Sequence, residues 1–433
     1  MIYQRELPVK YTADVCVIGG GPTGVAAAVA AARQGVSVFL VESQGCFGGA
    51  GTSGLVTAFT AFTDGVNFMC GGIGKEVYDR TLAASPRGLN GRCLPYQPET
   101  LKKIYDDMIA EAGVDFLFFA NMVDVVRENG VVKSVIIASK SGLYAVSAKA
   151  YVDCTGDGDL CAMAGAPYAQ GDEAGNVMGA TLCSMWMNID WNAPTMEQNA
   201  MLEKAFADKL FTHEDRHLPG IFPTGEQSGM GNLGHVFGVD STQEEDLTRA
   251  MIEGRKLLPE FIEYYQKYVG GAFARAYPVT TAATLGVRES RRILGDYILN
   301  VQDYNTRAVF DDEIGRFSYP IDMHVSAATM EAYRHYHDLF YAPPYADGET
   351  YGIPYRCLVP QTLDNVFVGG RCISTDKKMQ ASIRVMPCCF ITGQAAGVAA
   401  AMCVQQEKTS RQINVSELQD RLVELGAFLP NHK

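Results

Sequence analysis

The sequence predicts an α/β protein in which a Rossmann-like domain, with a parallel sheet and a β-meander insert, carries an inserted α+β domain. Three features predict it: a glycine-rich turn near residue 20, two hairpin signals within residues 123–159, and a change of composition after residue 165. A chain of 433 residues that is 47% hydrophobic is large enough to bury two such cores.

The glycine-rich turn lies in VCVIGGGPTGVAAAVAAARQGVSVFLVE, residues 15–42. The predicted elements are a strand at 15–18, a helix at 25–33 and a strand at 36–41. Gly19 permits the tight turn, Gly21 lets a pyrophosphate approach the backbone, and Gly24 lets helix and strand pack closely. Glu42 ends the second strand and is placed to accept a ribose hydroxyl. The motif predicts a bound dinucleotide but does not separate NAD from FAD.

A β-meander is predicted in residues 123–159, VDVVRENGVVKSVIIASKSGLYAVSAKAYVDCTGDGD. Asn129-Gly130 and Ser141-Gly142 separate alternating apolar runs, and both dipeptides suit tight hairpins. The last strand, at 150–154, returns the turn Thr155-Gly156-Asp157 toward the nucleotide.

Two more glycine-rich segments extend the predicted nucleotide site. GCFGGAGTSG, residues 45–54, directly follows Glu42, where an NAD-only domain would normally continue to another strand and helix. NVFVGGRCISTD, residues 365–376, combines a strand with a tight turn and precedes a predicted helix of small residues at 393–402. The positive end of that helix could stabilise charge on a reduced flavin. The alternative for residues 45–54 is a flexible surface loop. The alternative for residues 393–402 is a helix that only packs on the sheet.

Composition excludes several classes of function. The formal charge of −13 and the absence of a Lys/Arg-rich stretch exclude nucleic acid as an expected partner. No export signal is evident and the apolar runs are too short to cross a bilayer, so we expect a cytoplasmic protein without a membrane span. The 12 cysteines form no CxxC pair and are expected to be thiols, and no metal site is predicted.

These segments resemble the FAD-dependent oxidoreductases related to the flavoprotein subunits of succinate dehydrogenase and fumarate reductase, within the glutathione-reductase-type flavin fold. The resemblance rests on the N-terminal glycine motif with Glu42, the GG at 48–49, DCTGDGD at 153–159, VGGR at 368–371 and GQAAG at 393–397. TLGVRESRRILGDY and PYRCLVP are similar to segments of an uncharacterised bacterial branch. The resemblance extends from residue 12 to about residue 405.

The resemblance implies a non-covalent FAD-binding domain and assigns its contacts to this sequence. The implied contacts are Gly19, Gly21, Gly24, Glu42, Gly48, Gly49, Thr52, Val123, Thr155, Gly156, Asp157, Gly370, Arg371, Gln394, Ala395 and Ala396. Of these, the backbone of Val123 would touch the adenine, and the 155–157 turn would lie near the pyrophosphate.

Three departures from better-known relatives narrow the mechanism. No CxxxxC pair follows the GG, so a dithiol relay is not expected. No histidine lies between residues 43 and 75, so FAD is expected to dissociate. No second GxGxxG unit is evident, so no NAD(P)H domain is expected. The electron acceptor or donor stays open among substrate, a protein partner, a quinone and dioxygen.

The catalytic candidates lie in and beside the inserted domain, where six of the seven histidines occur. His324 is the predicted base, because imidazole titrates near neutrality and hydride removal from carbon needs a proton acceptor. Arg356 and Arg288 are the predicted substrate contacts, since guanidinium groups suit carboxylates. The alternatives to these catalytic roles are that the histidine is an ordinary hydrogen-bonded residue and that the arginines face solvent. His335 and His337 would share a face only on a strand, and no third ligand is evident for a metal.

The expected organisation is an FAD-binding domain at 1–165 and 351–433 with a substrate domain at 166–350. The expected reaction is hydride transfer between FAD and a small organic molecule. If an arginine binds that molecule, the expected substrate is a carboxylate. Oxygen-using oxidation or hydroxylation, a flavin-carrying subunit of a larger redox complex, and an adenine-nucleotide protein of the thiazole-synthase type are the alternatives.

Overall fold

The computed structural model describes residues 4–84, 93–339 and 345–432, with the side chains of 335–339 left out. The strands are β1 (Val9–Ile18), β2 (Val38–Val41), β3 (Ala58–Thr60), β4 (Cys93–Pro95), β5 (Asp115–Leu117), β6 (Asn121–Glu128), β7 (Val131–Ser139), β8 (Gly142–Asp153), β9 (Tyr168–Gln170), β10 (Ser184–Met187), β11 (Gly220–Pro223), β12 (Gly229–Asn232), β13 (Tyr277–Thr281), β14 (Arg291–Ile293), β15 (Glu313–Phe317), β16 (Tyr351–Pro354) and β17 (Val366–Val368). The helices are α1 (Pro22–Arg33), α2 (Ile73–Ala84), α3 (Pro98–Glu111), α4 (Asp159–Met163), α5 (Leu202–Ala207), α6 (Glu244–Glu263), α7 (Val301–Thr306), α8 (Met330–Leu339), α9 (Lys377–Ile383), α10 (Met386–Gln406) and α11 (Val415–Glu424).

The main sheet has the strand order β5-β2-β1-β8-β7-β6, and β17 also pairs with β8. β5, β2, β1, β8 and β17 run parallel, whereas β6, β7 and β8 are antiparallel neighbours. The first half of β8 pairs with β7, and its last three residues pair with β17. One long strand therefore joins the meander to the last parallel strand within the same sheet. The predicted parallel sheet with a meander insert is confirmed.

The first hairpin of the meander uses the predicted Asn-Gly turn. Asn129 has φ 48° and Gly130 has φ 82°, and both values lie in the left-handed region that asparagine and glycine tolerate best. The second hairpin returns at Gly142, where φ is 111°. The first turn matches its dipeptide, whereas Ser139 pairs with Gly142 in the second, so its two-residue loop lies one residue before the predicted dipeptide.

Helices α1 and α10 lie against each other beneath the sheet because small residues face across their contact. A Cβ added to Gly397 would lie 2.2 Å from the carbonyl oxygen of Ala27, so α10 approaches α1 backbone to backbone. α10 is long and apolar enough to cross a membrane, but 94% of its apolar window is buried inside the fold. Its composition is therefore that of a core helix.

The inserted region has a core of its own. The antiparallel sheet β11-β12-β10-β13 packs with α6 around Trp186, Tyr265 and Phe273. This second core spans residues 180–276, whereas the apolar residues of 293–359 pack in the main core with α10. The apolar side chains of β14, β15 and β16 therefore pack in the main core, and the expected domain boundary at 350 stays a prediction.

Candidate active site

The glycine turn between β1 and α1 combines two crowded glycines with one open glycine. A Cβ on Gly19, where φ is +94°, would lie 2.5 Å from the carbonyl oxygen of Cys154. A Cβ on Gly24 would lie 1.7 Å from the carbonyl oxygen of Gly19. A Cβ on Gly21 would meet nothing within 4 Å. The turn is packed from behind and open at Gly21, beside the first N–H groups of α1, which is the geometry a pyrophosphate needs.

Glu42 lies beside this turn at the end of β2. Its side chain is 6% exposed; one carboxylate oxygen accepts from the N–H of Gly20 at 2.6 Å and the other from the N–H of Gln44 at 2.6 Å. A buried carboxylate that already bonds the nucleotide turn fits the ribose end of FAD. Its contact with a ribose hydroxyl stays a prediction.

The 48–52 segment lies against the turn, and Gly49 is its point of contact. A Cβ on Gly49 would come within 3.3 Å of the Cα of Gly21. Gly48 has φ +106° and its added Cβ would meet Thr52. Thr52 is 1% exposed, and its hydroxyl donates to the carbonyl of Phe47 at 2.6 Å. Thr52 therefore stabilises the loop from inside through its hydroxyl, and its contact with FAD stays a prediction.

Arg371 joins the last cofactor segment to the 155–157 turn. Its Nε donates to the carbonyl of Gly156 at 2.9 Å and one Nη donates to the carboxylate of Asp157 at 2.7 Å. Thr155 donates to Asp153 at 2.8 Å. Gly370 packs on the first turn of α1, because a Cβ there would lie 2.3 Å from the Thr23 hydroxyl. The structure thus brings these predicted residues together around the start of α1.

Val123 lies in β6, the outer strand of the meander, and is 45% exposed. The β6–β7 register shifts between Met122 and Asp124, so Val123 falls at the irregularity. The chain passes Glu42 just before it, where the N–H of Ala120 donates to the Glu42 carbonyl at 3.0 Å. Its contact with adenine stays a prediction.

The helix expected at 393–402 begins earlier, at Met386, so three of the implied cofactor contacts lie in its interior and not at its start. α10 starts at Met386 with Pro387 in its first turn, so its free N–H groups lie about seven residues before Gly393. Gln394 is 2% exposed and accepts from the N–H of Ile73 at 2.8 Å, and Ala395 and Ala396 are fully buried. These three residues pack inside the core, and their contact with FAD stays a prediction. The proline at the first turn was the sequence signal for the true start.

Two buried histidines, His235 and His324, hydrogen-bond each other within the region expected to form the substrate domain. Nδ1 of His324 lies 2.8 Å from Nε2 of His235, and Nδ1 of His235 lies 2.7 Å from a carboxylate oxygen of Asp215. Nε2 of His324 lies 3.5 Å from a carboxylate oxygen of Asp322. His235 is 1% exposed and His324 is 6% exposed. The arrangement is a row of carboxylate, imidazole, imidazole and carboxylate.

Three further groups surround this row. The ring of His217 is half-buried and its centroid lies 4.3 Å from that of His324. The Tyr333 hydroxyl donates to Asp215 at 2.6 Å, and an Nη of Arg384 donates to Asp322 at 2.9 Å. We call His217, His235, His324, Asp215 and Asp322 the histidine cluster. Sequence analysis identified only His324 among them, because the others lie in loops with no motif around them.

Burial and positive charge keep the imidazoles neutral. Burial, followed by the charge of Arg288, holds the pKa of His324 well below 6.5. Burial also lowers the pKa of His235, and it lowers the pKa of His217 to about 4. Burial alone would raise the pKa of Asp322, but the neighbouring imidazole of His324 and the charge of Arg384 outweigh it and the pKa falls. The cluster thus holds neutral imidazoles between ionised carboxylates.

Arg288 lies against the cluster and is 7% exposed. Its guanidinium donates to the carbonyl of Gly179 at 2.9 Å, the hydroxyl of Thr181 at 2.8 Å and the side-chain oxygen of Asn232 at 3.0 Å. Burial, with the charge of Arg384, lowers its pKa to about 10, so it stays cationic at neutral pH. These acceptors are neutral, and the guanidinium therefore adds positive potential to the site.

Arg356 is not brought to the cluster. It pairs with Asp312 at 2.9 Å and 3.1 Å, lies over the ring of Tyr297, and keeps 47% of its side chain exposed. It lines a surface cleft of about 530 Å³ with Val309, Phe310, Asp311, Asp312 and Val415. A carboxylate that is 15% exposed therefore already pairs with the Arg356 guanidinium, and the expected role of Arg356 as a substrate anchor stays a prediction.

Two arginines that follow Arg288 in the sequence, Arg291 and Arg292, form ion pairs within the protein. Arg291 pairs with Asp159 at 2.7 Å, and Arg292 pairs with the buried Glu289 at 2.9 Å, so both serve structural ion pairs. The side chains of His335 and His337 lie outside the described residues. Within the described part of the chain, no three histidine, cysteine, aspartate or glutamate side chains are arranged to hold a metal ion.

Two links tie the cluster to the cofactor loops. Arg371, which holds the 155–157 turn, also donates to the carbonyl of Val287, the residue before Arg288. Arg384, which holds Asp322, immediately precedes the N-cap of α10. The junction of the two domains therefore lies between the glycine turn and the histidine cluster.

One family profile and one solved structure agree with this architecture, and two further structures are similar at lower TM-scores. The profile of the family described as FAD dependent oxidoreductase matches residues 14–422. A geranylgeranyl bacteriochlorophyll reductase-like structure from Thermoplasma acidophilum has a TM-score of 0.50 and 14% identity, over 96% of this chain and 84% of that chain. A myxobacterial chondrochloren halogenase has a TM-score of 0.47 and 11% identity, over 95% and 78% of the two chains. A flavin-dependent brominase has a TM-score of 0.42 and 12% identity, over 95% and 83%.

No curated protein sequence matches the chain significantly. At 14% identity the likeness to the Thermoplasma acidophilum structure shows the fold alone, whereas the family profile covers nearly the whole chain. The open glycine turn and the buried Glu42 fit the dinucleotide that the family uses. The chain therefore belongs to the FAD-dependent oxidoreductase family, and it is an enzyme whose cofactor is non-covalently bound FAD.

Proposed function

We propose that this enzyme transfers a hydride between a carbon of a small organic molecule and FAD, with His324 exchanging the accompanying proton. The observation that carries the proposal is the buried, neutral His324 between His235 and Asp322 at the domain junction. When bound, FAD supplies a two-electron acceptor for a hydride. A neutral imidazole beside the reacting carbon supplies the base that this chemistry needs.

The positive charge at the junction supports an anionic substrate, such as a carboxylate. Arg288 donates to neutral acceptors and lies close enough to His324 to lower its pKa. Arg384 adds a second guanidinium at the start of α10, paired with Asp322. A carboxylate drawn to this potential would present its neighbouring carbon to the junction. Arg288 and Arg384 therefore replace Arg356 as the proposed anchors.

Two finer expectations belong to the same proposal. The kinship with the flavoproteins of succinate dehydrogenase and fumarate reductase rests on the motifs quoted above. A cytoplasmic location is supported by the 12 cysteines, all of which are free thiols. The electron partner stays open among a protein, a quinone and dioxygen.

The test is anaerobic bleaching of the flavin absorbance by candidate substrates. The purified FAD-loaded enzyme is mixed with 2-hydroxy, 2-amino and saturated carboxylates and with matched neutral analogues, and the visible spectrum is followed by stopped flow. We expect a carboxylate to bleach the flavin and its neutral analogue to do so more slowly.

Three results would argue against the proposal. Bleaching by a co-purifying protein and by none of the small molecules would favour a flavin-carrying subunit. Oxygen consumption that yields a hydroxylated product would favour an oxygenase. A colourless protein that takes up no added FAD would favour the adenine-nucleotide alternative.

A further inference from the structure

We infer that His235 and His324 act as one proton acceptor, which takes up a single shared proton between Asp215 and Asp322. This inference rests on the proposed function for its role in the reaction and adds His235 as a positioning residue. It rests on three contacts in a row: 2.7 Å from Asp215 to His235, 2.8 Å from His235 to His324, and 3.5 Å from His324 to Asp322.

The number of protons in this row follows from its chemistry. Each of the three contacts needs one N–H proton, but two neutral imidazoles carry only two N–H groups between them. One contact must then lack a proton. The contact at 3.5 Å, between Nε2 of His324 and Asp322, is longer than an ordinary hydrogen bond, whereas the other two are short.

The network therefore assigns the tautomers. His235 donates from Nδ1 to Asp215 and accepts at Nε2 from the Nδ1–H of His324. Nε2 of His324 keeps its lone pair and is the basic nitrogen of the cluster. His235 does not reach that nitrogen itself, but it fixes which nitrogen of His324 carries the proton.

The uptake of one proton balances the proposed reaction in its oxidative direction. A substrate with a C–H bond next to an O–H group loses a hydride, with two electrons, to FAD and a proton to Nε2 of His324. The carbonyl double bond forms as the C–H and O–H bonds break. The protonated Nε2 then has Asp322 as its acceptor, so the third contact gains the proton it lacked.

Charges on all sides of the pair permit both uptake and release. The carboxylates of Asp215 and Asp322 favour the extra proton, while Arg288 and Arg384 oppose it. The imidazole of His217, with its centroid 4.3 Å from that of His324, is the further titratable group on this side. The Tyr333 hydroxyl holds the far oxygen of Asp215 at 2.6 Å. Opposing charges keep the proton exchangeable rather than fixed.

The first experiment titrates the oxidised, FAD-loaded enzyme, labelled with ¹⁵N-histidine and free of substrate, between pH 4 and 9 by NMR. At neutral pH we expect His324 to show a protonated Nδ1 and an unprotonated Nε2. As the pH falls, the two rings should change together in one step that adds one proton. Separate one-proton steps at His235 and His324, or a protonated Nε2 on His324 at neutral pH, would overturn the inference.

The second experiment compares His235→Phe, which removes the acceptor, with His235→Gln, which retains one. We expect His235→Phe to release the His324 tautomer, to lower the rate of flavin bleaching at least about tenfold and to move its pH profile. His235→Gln should restore the tautomer and most of the rate. His432→Gln, whose partner Asp420 lies on α11, is the matched control. Unchanged His324 spectra in His235→Phe would contradict the inference.

The two proposals fail in different ways. The titration of the unsubstituted enzyme needs no substrate and decides the shared proton even where a variant does not fold. A normal titration without any bleaching substrate would sink only the proposed function. Two independent titrations together with substrate bleaching would sink only the shared proton.

Discussion

The glycine turn and the histidine cluster are built in opposite ways. The turn comes from consecutive residues between β1 and α1 and works through backbone and open space, with Gly21 facing nothing within 4 Å. The cluster comes from three loops, and the two histidines that bond each other are 89 residues apart in the chain. It works through charge and hydrogen bonds. We therefore expect the turn to lose its function when a substitution adds a side chain. We expect the cluster to lose its function when a substitution removes a proton-binding group.

The largest effect is expected for Gly24→Ala. Its methyl group would lie 1.7 Å from the carbonyl oxygen of Gly19, so α1 must move away from the turn. We expect a loss of more than about 3 kcal/mol in stability and little bound FAD. Thermal unfolding and the flavin absorbance of the purified protein measure both. An unchanged melting temperature would show that the turn tolerates volume after all.

Gly21→Ala is the matched variant in the same turn. Gly21 has φ −67° and an extended ψ, which alanine adopts without strain, and its methyl group meets nothing in the protein. We expect a normally stable protein whose FAD affinity falls about tenfold, because the methyl takes the space of the pyrophosphate. Titration of the FAD-free protein with FAD measures the affinity, and equal affinity in both proteins would place the pyrophosphate elsewhere.

His324→Gln removes the proposed base while keeping a polar side chain. We expect normal FAD content but a rate of flavin bleaching lowered by about 10²- to 10⁴-fold, the usual contribution of a general base. In the unsubstituted enzyme the rate should fall only below pH 6.5, since burial and Arg288 lower the pKa of His324 and acid protonates it. An undiminished rate in His324→Gln, measured beside His432→Gln, would remove His324 from the reaction.

His217→Gln tests how much stability the folded protein loses at low pH because the buried imidazole of His217 stays neutral. The pKa of His217 falls to about 4 in the folded protein, so the unfolded chain binds the proton first and stability is lost as the pH falls from 6.5 toward 4. Relative to the unsubstituted enzyme, the free energy of unfolding of the variant should rise by about 2–3 kcal/mol over this interval. Urea unfolding at several pH values measures the difference, and parallel pH curves for the two proteins would contradict it.

Arg356→Gln should have the smallest effect. Its guanidinium pairs with Asp312 on the surface and 47% of its side chain is exposed, so we expect at most about 1 kcal/mol of lost stability. Flavin bleaching should stay within about twofold, since a change of that size is under 1 kcal/mol in barrier. Stopped-flow rates measure this, and a large loss of rate would bring Arg356 back as a substrate contact.

The boundary of α10 shows where local sequence reasoning stops. Its alanine- and glycine-rich middle is easy to recognise, but its first turn, around Pro387, precedes that middle and reads as apolar loop. The cofactor contacts were therefore assigned to Gln394, Ala395 and Ala396, which the fold buries. Thr52 is similar, because its neighbours suggest a ligand loop while its hydroxyl bonds the Phe47 carbonyl. The direction of a side chain is decided by packing and not by its place in a motif.

The sequence by itself determined the nucleotide domain: the glycine turn, Glu42, the meander with its Asn-Gly hairpin and the final parallel strand. Each depends on neighbouring residues, through steric limits on glycine and the alternation of apolar side chains. Only the tertiary structure decided the histidine cluster and the isolation of Arg356. Asp215 and Tyr333 are 118 residues apart, and no local pattern encodes such a contact. Their chemistry arises when distant loops are buried together and lose water, which makes the pairing of their charges decisive.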